Sequence, residues 1–590
     1  MPQAFNIPGV YRTEKDISTV VRPVGTSTGA IVGKANQGPV NQRVLVNTDK
    51  QFIQTFGKPV SANDYAHYAA IQFLAESQNL WMVRCTYGDE IYANMTFGTQ
   101  SSATSAVALS AASTTNVIAN YVDGYSQTSQ VGDAGNGDIE SSTTPADTIT
   151  IASIGPGTYG NNIGVAIVAS ASPVSAQYGF NWMYKYDDAL NVSAATATWR
   201  KVYRINVYTK PEGVTAQAAW GTTSAAQLSA IQPAETFLVS NDPTAKDANG
   251  KSLYAPYVIN GFSSYIYIKK TALSTVVPTD KSALGIVALL NGYNSISATS
   301  DQKSAALALF TDRTKSGIDI LMVADAVDSS VSSDLNYVQN AGNIAASRQD
   351  CIAAVQMTSQ SDKTRVLINA ALARYAFNNP SYVAPYVGYD IVYDQYTDSN
   401  VFVAKSVAGA AIMVRTDRVA NVWDAPAGVN RGIIGYSVGQ NEKLSEADIG
   451  SIYDNNGNCS KFVTGYGNVM WGQKTAQKKA TALDRINVRR LLLYIENTIE
   501  PSLLPFLFET NNTQTRSRVF GVIDQFLSRV QSGGGLNAYK LVCDSTNNSN
   551  QDIDNNQLNV DIYVQPAKTI EFIKMQTIIT RSGVNFNELV

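Results

Sequence analysis

Residues 543–580, reading CDSTNNSNQDIDNNQLNVDIYVQPAKTIEFIKMQTIIT, constrain the fold more than any other stretch. After a polar loop the chain alternates, with Leu558, Val560, Ile562 and Val564 on one side and Asn559, Asp561, Tyr563 and Gln565 on the other. That period of two predicts a half-buried strand. Pro566 has no N–H to give and stops the ladder. A second extended run is expected over 569–580, where Ile570 and Phe572 alternate with Glu571 and Ile573; residues 581–590 carry no helix pattern. A chain that stays extended beyond its last turn needs a sheet to receive it, and that sheet can belong to another subunit.

Just upstream, two helices repeat one apolar spacing. Val488, Leu491, Leu492, Ile495 and Ile499 match Val519, Val522, Ile523, Phe526 and Val530 step for step. Such stripes bury against each other and against a sheet. An Asn or Thr around 510–512 offers the second helix its cap, and Gly533, Gly534 and Gly535 end it. Residues 281–480 alternate helical stretches (301–310, 331–348) with apolar strands (318–323, 351–355), the pattern of a parallel sheet between helix layers. Near the start, 26–33 reads as a strand, 64–79 as a helix carrying the lone histidine, His67, and 80–85 as another strand. Residues 93–148 shift to Ser, Thr, Ala, Asn and Gly and read as a β-rich surface insertion; 155–163 is a turn leading to a core strand at 164–169.

The charge balance, Lys+Arg 44 against Asp+Glu 47, leaves no global basic footprint for nucleic acid. Charged residues are only 15%, a surface suited to packing against copies of itself. Four separated cysteines form no CxxC pair, and one histidine excludes a multi-histidine metal centre. No apolar run of membrane-spanning length and no signal peptide are found, which predicts synthesis in the cytoplasm and no direct membrane insertion. The run around Gly29, Gly33 and Lys34 lacks the residues of a phosphate loop: Thr28 and Ala35 stand where Gly and Ser or Thr are needed. His67 lies far from the α/β block, and no GxSxG elbow is present, so no catalytic triad is expected. Asp390, Asp394 and Asp398 read as a solvated loop or strand edge, and Asp544 to Asp554 as a polar turn. The expectation is no enzyme, with no catalytic residue, no metal and no cofactor.

The wording of the C-terminal stretch (Cys543, Asp544; Asp552, Ile553, Asp554; residues 558–562; Pro566, Ala567; Glu571, Phe572, Ile573) resembles contractile-tail sheath proteins of myovirus-type phages, with relatives in tailocins and type VI secretion machines. Pro8, Gly9, Val10 and Tyr11 match that family's N-terminal arm, and the run from Val422 through Trp423 to Gly432 is the most specific internal match. The resemblance implies a mixed α/β, multidomain chain: an N-terminal arm (1–22), a first part of the core (23–92), a β-rich inserted outer region (93–250, with 150–170 returning to the core), a subtilisin-like α/β domain (251–480), a C-terminal helix–sheet domain facing a tube (481–565) and a C-terminal arm (566–590). It implies a virion-tail subunit that partners itself in hexameric rings of a helical stack, the tail tube protein, and baseplate and terminator proteins. Pro8, Gly9, Val10, Tyr11, Ile570, Phe572 and Ile573 would be the inter-subunit arms, Leu558, Val560, Ile562 and Val564 the receiving strand, and Arg489, Arg490, Arg516 and Arg518 the tube-facing cations. The rival reading is a virion surface or host-binding protein forming a closed oligomer.

Overall fold

The computed structural model describes residues 27–86, 92–98, 148–155, 157–169, 202–209, 232–240, 245–247, 249–270, 286–289, 292 and 298–576. The expected N-terminal arm, most of the 93–148 insertion and residues 577–590 lie outside them. The chain divides into two compact units, one of Ser27–Arg415 with Ala427–Lys478, the other of Met1–Thr26, Thr416–Pro426 and Lys479–Val590.

The larger unit is built on a six-stranded sheet in the order Val383–Tyr386, Ile352–Gln356, Ile320–Val323, Thr28–Gly33, Asn79–Arg84, Arg43–Val46. The first five run parallel, and Arg43–Val46 closes one edge antiparallel to its neighbour. Strands such as Ile320–Val323 and Ile352–Gln356 are buried at every position. Both faces are covered, so their sequences read as unbroken apolar runs. On one face Ala30, Val32, Leu321, Val323, Ala353 and Val355 meet Tyr337, Val338, Ala341 and Ala345 of the helix Ser332–Arg348. On the other the helix Tyr65–Leu74 lies so close that a Cβ on Gly29 would sit 2.5 Å from the Phe73 ring, and one on Gly33 2.5 Å from the Ala66 methyl. That helix stops at Leu74, short of the expected Asn79. The Ser77 hydroxyl accepts the Asn79 N–H at 3.1 Å and turns the chain into the strand Asn79–Arg84.

The same unit carries a β-rich part with its own apolar cluster, in which Ile163, Val165, Ile167, Tyr203, Ile205, Val207 and Val239 are buried. A four-stranded antiparallel sheet orders Val287–Ala288, Ile163–Ala169, Val202–Thr209, Glu235–Ser240. A three-stranded one orders Asn94–Gly98, Thr148–Ser153, Ile266–Lys270. The strand expected at 164–169 therefore forms, but in this antiparallel sheet and not in the parallel one. Alternation along the strand fixes pairing only locally, whereas the sheet a strand joins is decided by which cluster buries it.

Candidate functional site

In the smaller unit the helices Ile486–Leu503 and Thr513–Ser532 carry the twin stripes. Leu491, Ile495 and Ile499 share one cluster with Val519, Val522, Ile523, Phe526, Leu527 and Val530. Asn512 caps the second helix, its side-chain oxygen accepting the Thr515 N–H at 2.8 Å. Against this pair lies a two-stranded antiparallel sheet, Leu536–Val542 with Asp561–Pro566. Ile562 and Val564 are half-buried on the cluster, while Asp561, Tyr563 and Gln565 face out, as the alternation predicts. Leu558 and Val560 pack on the same cluster but precede the strand. The backbone of Asn559 is taken by the Asn548 side chain, which donates to its carbonyl at 2.9 Å and accepts its N–H at 2.7 Å. The acidic stretch before the strand is thus a loop and a short helix, Asn550–Asp554, whose capping box pairs Ser549 with Asp552. Hydrogen bonds from Ser549 hold the Asp552 carboxyl below the ordinary carboxylate range.

Among the described residues neither strand of this sheet has a partner on its outer edge. After Pro566 the chain runs on without a ladder. Ile570, Phe572, Ile573 and Met575 are 83%, 78%, 86% and 88% exposed, an apolar series that nothing among the described residues of this unit covers. The run is held at its start, where the Ala567 N–H donates to the Gly535 carbonyl at 3.1 Å, and at Glu571, both oxygens of which accept from Arg485, at 2.6 and 2.9 Å. A two-stranded sheet is marginal by itself, and an open edge beside an exposed apolar run is the geometry of strand addition.

The four arginines separate. Arg489 and Arg490 are 6% and 4% exposed, and Arg490 donates to Asp417. The first turn of their helix is buried all round, with Asn487 donating to the Trp423 carbonyl at 3.1 Å, so these two do not offer a solvent-facing cationic surface. Arg518 is exposed beside the Phe506 ring, and half-exposed Arg516 donates to Asn511 at 3.0 Å.

Sequence reading missed the role of Trp423. Its indole N–H donates to the Gly533 carbonyl at 3.1 Å, and a Cβ on Gly533 or Gly535 would fall within 2.8 or 2.9 Å of its rings. Tyr494 lies 6.2 Å from the indole and Phe526 lies 5.7 Å beyond. The glycines read as a helix stop are also the floor under an aromatic anchor. Only the spacing of one Trp against three glycines could have signalled it.

In the larger unit the glycines near Lys34 admit a helix, and Lys34 itself lies 3.4 Å from buried Asp64. His67 is fully buried with Nε2 3.1 Å from the Phe56 carbonyl oxygen and its ring edge-on to Phe52. Burial depresses its basicity. Asp390 and Asp394 are buried, contrary to the solvated reading, and only Asp398 is exposed. Asp394 accepts the Tyr68 hydroxyl at 3.0 Å and the Thr397 hydroxyl at 2.6 Å. Along the strand Tyr389–Asp394 the carboxylates share the inward face with Val392, because hydrogen-bond partners there replace water.

The sequence profile of the phage tail sheath C-terminal domain matches residues 478–580. The tail sheath protein of Vibrio phage KVP40 is 30% identical over 378 residues, 60% of this chain and 55% of that protein, so the chain spans little more than half of that relative's length. The tail sheath protein of Enterobacteria phage T4 is 24% identical over 99% of this chain and 98% of its own. The fold is like that of the sheath tail protein of Listeria innocua, with a TM-score of 0.54 at 9% identity, covering 93% of this chain and 94% of that one. The C-terminal profile and the end-to-end alignment agree with the architecture, and over its length the chain is similar to tail sheath proteins.

Proposed function

We propose that the chain is the repeating subunit of a contractile tail sheath, polymerising as a helical sleeve around an inner tube and shortening to drive that tube through a host envelope. The observation that carries this reading is the open two-stranded sheet followed by the uncovered apolar run from Ile570 to Met575. A strand passed from subunit to subunit is a head-to-tail contact, and such contacts that do not close generate a helix. The donated ladder acts as a tether while the globular bodies reorient.

Shortening of this kind draws on free energy stored in the extended lattice, with no nucleotide required. Burying ~40 Å² of new apolar surface per subunit at ~25 cal/mol per Å² yields ~1 kcal/mol, and the sum over many copies is large. Residues 8–11 would serve as the second arm. Arg516 and Arg518 remain the cations proposed to meet an acidic tube surface, with baseplate and terminator proteins at the two ends.

Electron microscopy of the chain expressed without a tube tests the proposal. Long striated hollow sleeves are expected from the intact chain, and none from chains lacking residues 1–18 or 566–590 that still fold. Ordered sleeves from either truncation would overturn the arm model, and closed rings from the intact chain would favour the surface-protein reading.

A further inference from the structure

Inside the larger unit two buried ionisable side chains, Lys405 and Glu442, meet, with a third, Asp390, buried on the strand that runs beside them. Lys405 opens the helix Lys405–Val419, its backbone N–H donating to the Gly388 carbonyl at 3.3 Å. Asp390 lies on the strand Tyr389–Asp394, opposite Val403 on one side and Gln440 on the other. Glu442 follows that third strand, and its Oε2 accepts the Tyr389 N–H at 3.0 Å. Lys405 and Asp390 are 0% exposed and Glu442 2%. Lys405 Nζ is in direct contact with Glu442 Oε1. Gly388, at φ 86°, leaves the space this carboxyl occupies, since a Cβ there would fall on it.

The arrangement is a poor ion pair. Apart from the contact between Lys405 and Glu442, Lys405 Nζ, Glu442 Oε1 and Asp390 Oδ2 have no hydrogen-bond partner, although an ammonium carries three N–H groups. A buried pair of full charges is sustained only when further hydrogen bonds replace the lost water. Here they are missing, so burial favours the free amine of Lys405. Burial accordingly lowers the basicity of Lys405, and it raises the Asp390 carboxyl to about 6 against the opposing effect of Lys405. Asp390 keeps one ordered contact, accepting the Ser437 hydroxyl at 3.1 Å on its other oxygen.

We propose that Lys405 and Glu442 condense to an intramolecular isopeptide bond, with Asp390 as the proton carrier. Lys405 Nζ, as the amine, attacks Glu442 Cδ and opens the carbonyl to a tetrahedral centre. Asp390 takes a proton from the nitrogen and returns one to the departing hydroxyl. The C–N bond forms, the C–OH bond breaks, and one water leaves. No oxidant, nucleotide or other reactant is consumed. Holding nucleophile and electrophile together in a dry interior supplies the proximity that makes such condensations feasible, and a positioned acid–base group assists proton transfer. The product carries no charge, which removes the desolvation problem.

The bond would close a loop of 38 residues, from 405 to 442. That loop contains Thr416–Pro426, the segment belonging to the other unit. The chain on either side of that segment would then be joined covalently.

Mass spectrometry of the full-length chain under denaturing conditions tests this directly. The expected mass is one water below that of the sequence, with Lys405 resistant to trypsin and its peptide joined to the one containing Glu442. Lys405→Arg should restore the full sequence mass. Asp390→Asn should leave most chains unlinked after purification and close the bond at least tenfold more slowly. A wild-type chain at full sequence mass overturns the proposal, whatever the variants do. A link mapped to Asp390 overturns the assignment of Glu442 as acyl donor, and an Asp390→Asn chain that links as fast as wild type removes the proton-carrier role.

Discussion

Trp423 illustrates how much one side chain can hold. Its ring lies on backbone where only glycine leaves room and touches the aromatic row of the twin helices. Trp423→Ala is expected to destabilise the smaller unit by about 3–5 kcal/mol, the usual range for removing a large packed aromatic. Urea unfolding followed by circular dichroism checks the value, and a loss below about 1 kcal/mol would show that the contact is incidental. Asp390 predicts a pH dependence of definite sign. Its native carboxyl titrates at about 6, above the ~3.9 of an unfolded chain. The native state therefore binds more protons between those values. Its contribution is complete below about pH 4 and is lost as the pH rises through about 6, a fall of ~3 kcal/mol at most. Denaturation midpoints across that window should decline in the wild type and stay flatter in Asp390→Asn. A midpoint that rises with pH in the wild type alone would contradict the burial of this group.

At the level of elements, the sequence spelled out most of what forms. The twin stripes became a packed helix pair because a 3.6-residue period leaves one burial solution. The apolar runs at 320–323 and 352–356 became a parallel sheet because strands covered on both faces need no alternation. What failed did so for local reasons. Arg489 and Arg490 sit in a helix turn buried on every side, where a helical wheel has no outer face. Asp390 and Asp394 occupy inward strand positions that polarity assigns to solvent, since a sequence does not reveal which carboxylates will find internal donors. The extended apolar run was legible in residues 570–573, but the Arg485 clamp on Glu571 lies 86 positions away along the chain. Two outcomes follow. Asn512→Ala should cost the second helix about 1 kcal/mol through loss of its cap, read from the thermal midpoint. Changing Ile570, Phe572 and Ile573 together to Asp should leave that midpoint within about 0.5 kcal/mol of wild type, since exposed positions contribute little to folding, yet abolish sleeves in electron micrographs. A folding loss of several kcal/mol from that triple change would mean the run is packed within its own subunit.

For the molecule as a whole, the chain crosses between its two units after Thr26, after Arg415, after Pro426 and after Lys478. The smaller unit is thus discontinuous in sequence. Residues 479–590 expressed alone should be less stable and more quickly cut by protease than the same fragment joined to 416–426 through a short linker. Equal resistance would show that the excursion is dispensable. The Trp423 anchor also sets an order of events on the ribosome. The indole is made 110 residues before the glycine carbonyl that receives it. At 5–20 residues per second, that is roughly 5–20 s of synthesis during which a large aromatic waits unpartnered. The two-stranded sheet of the smaller unit needs residues 536–566, so it cannot close until well after residue 478, the last of the larger unit, has been made.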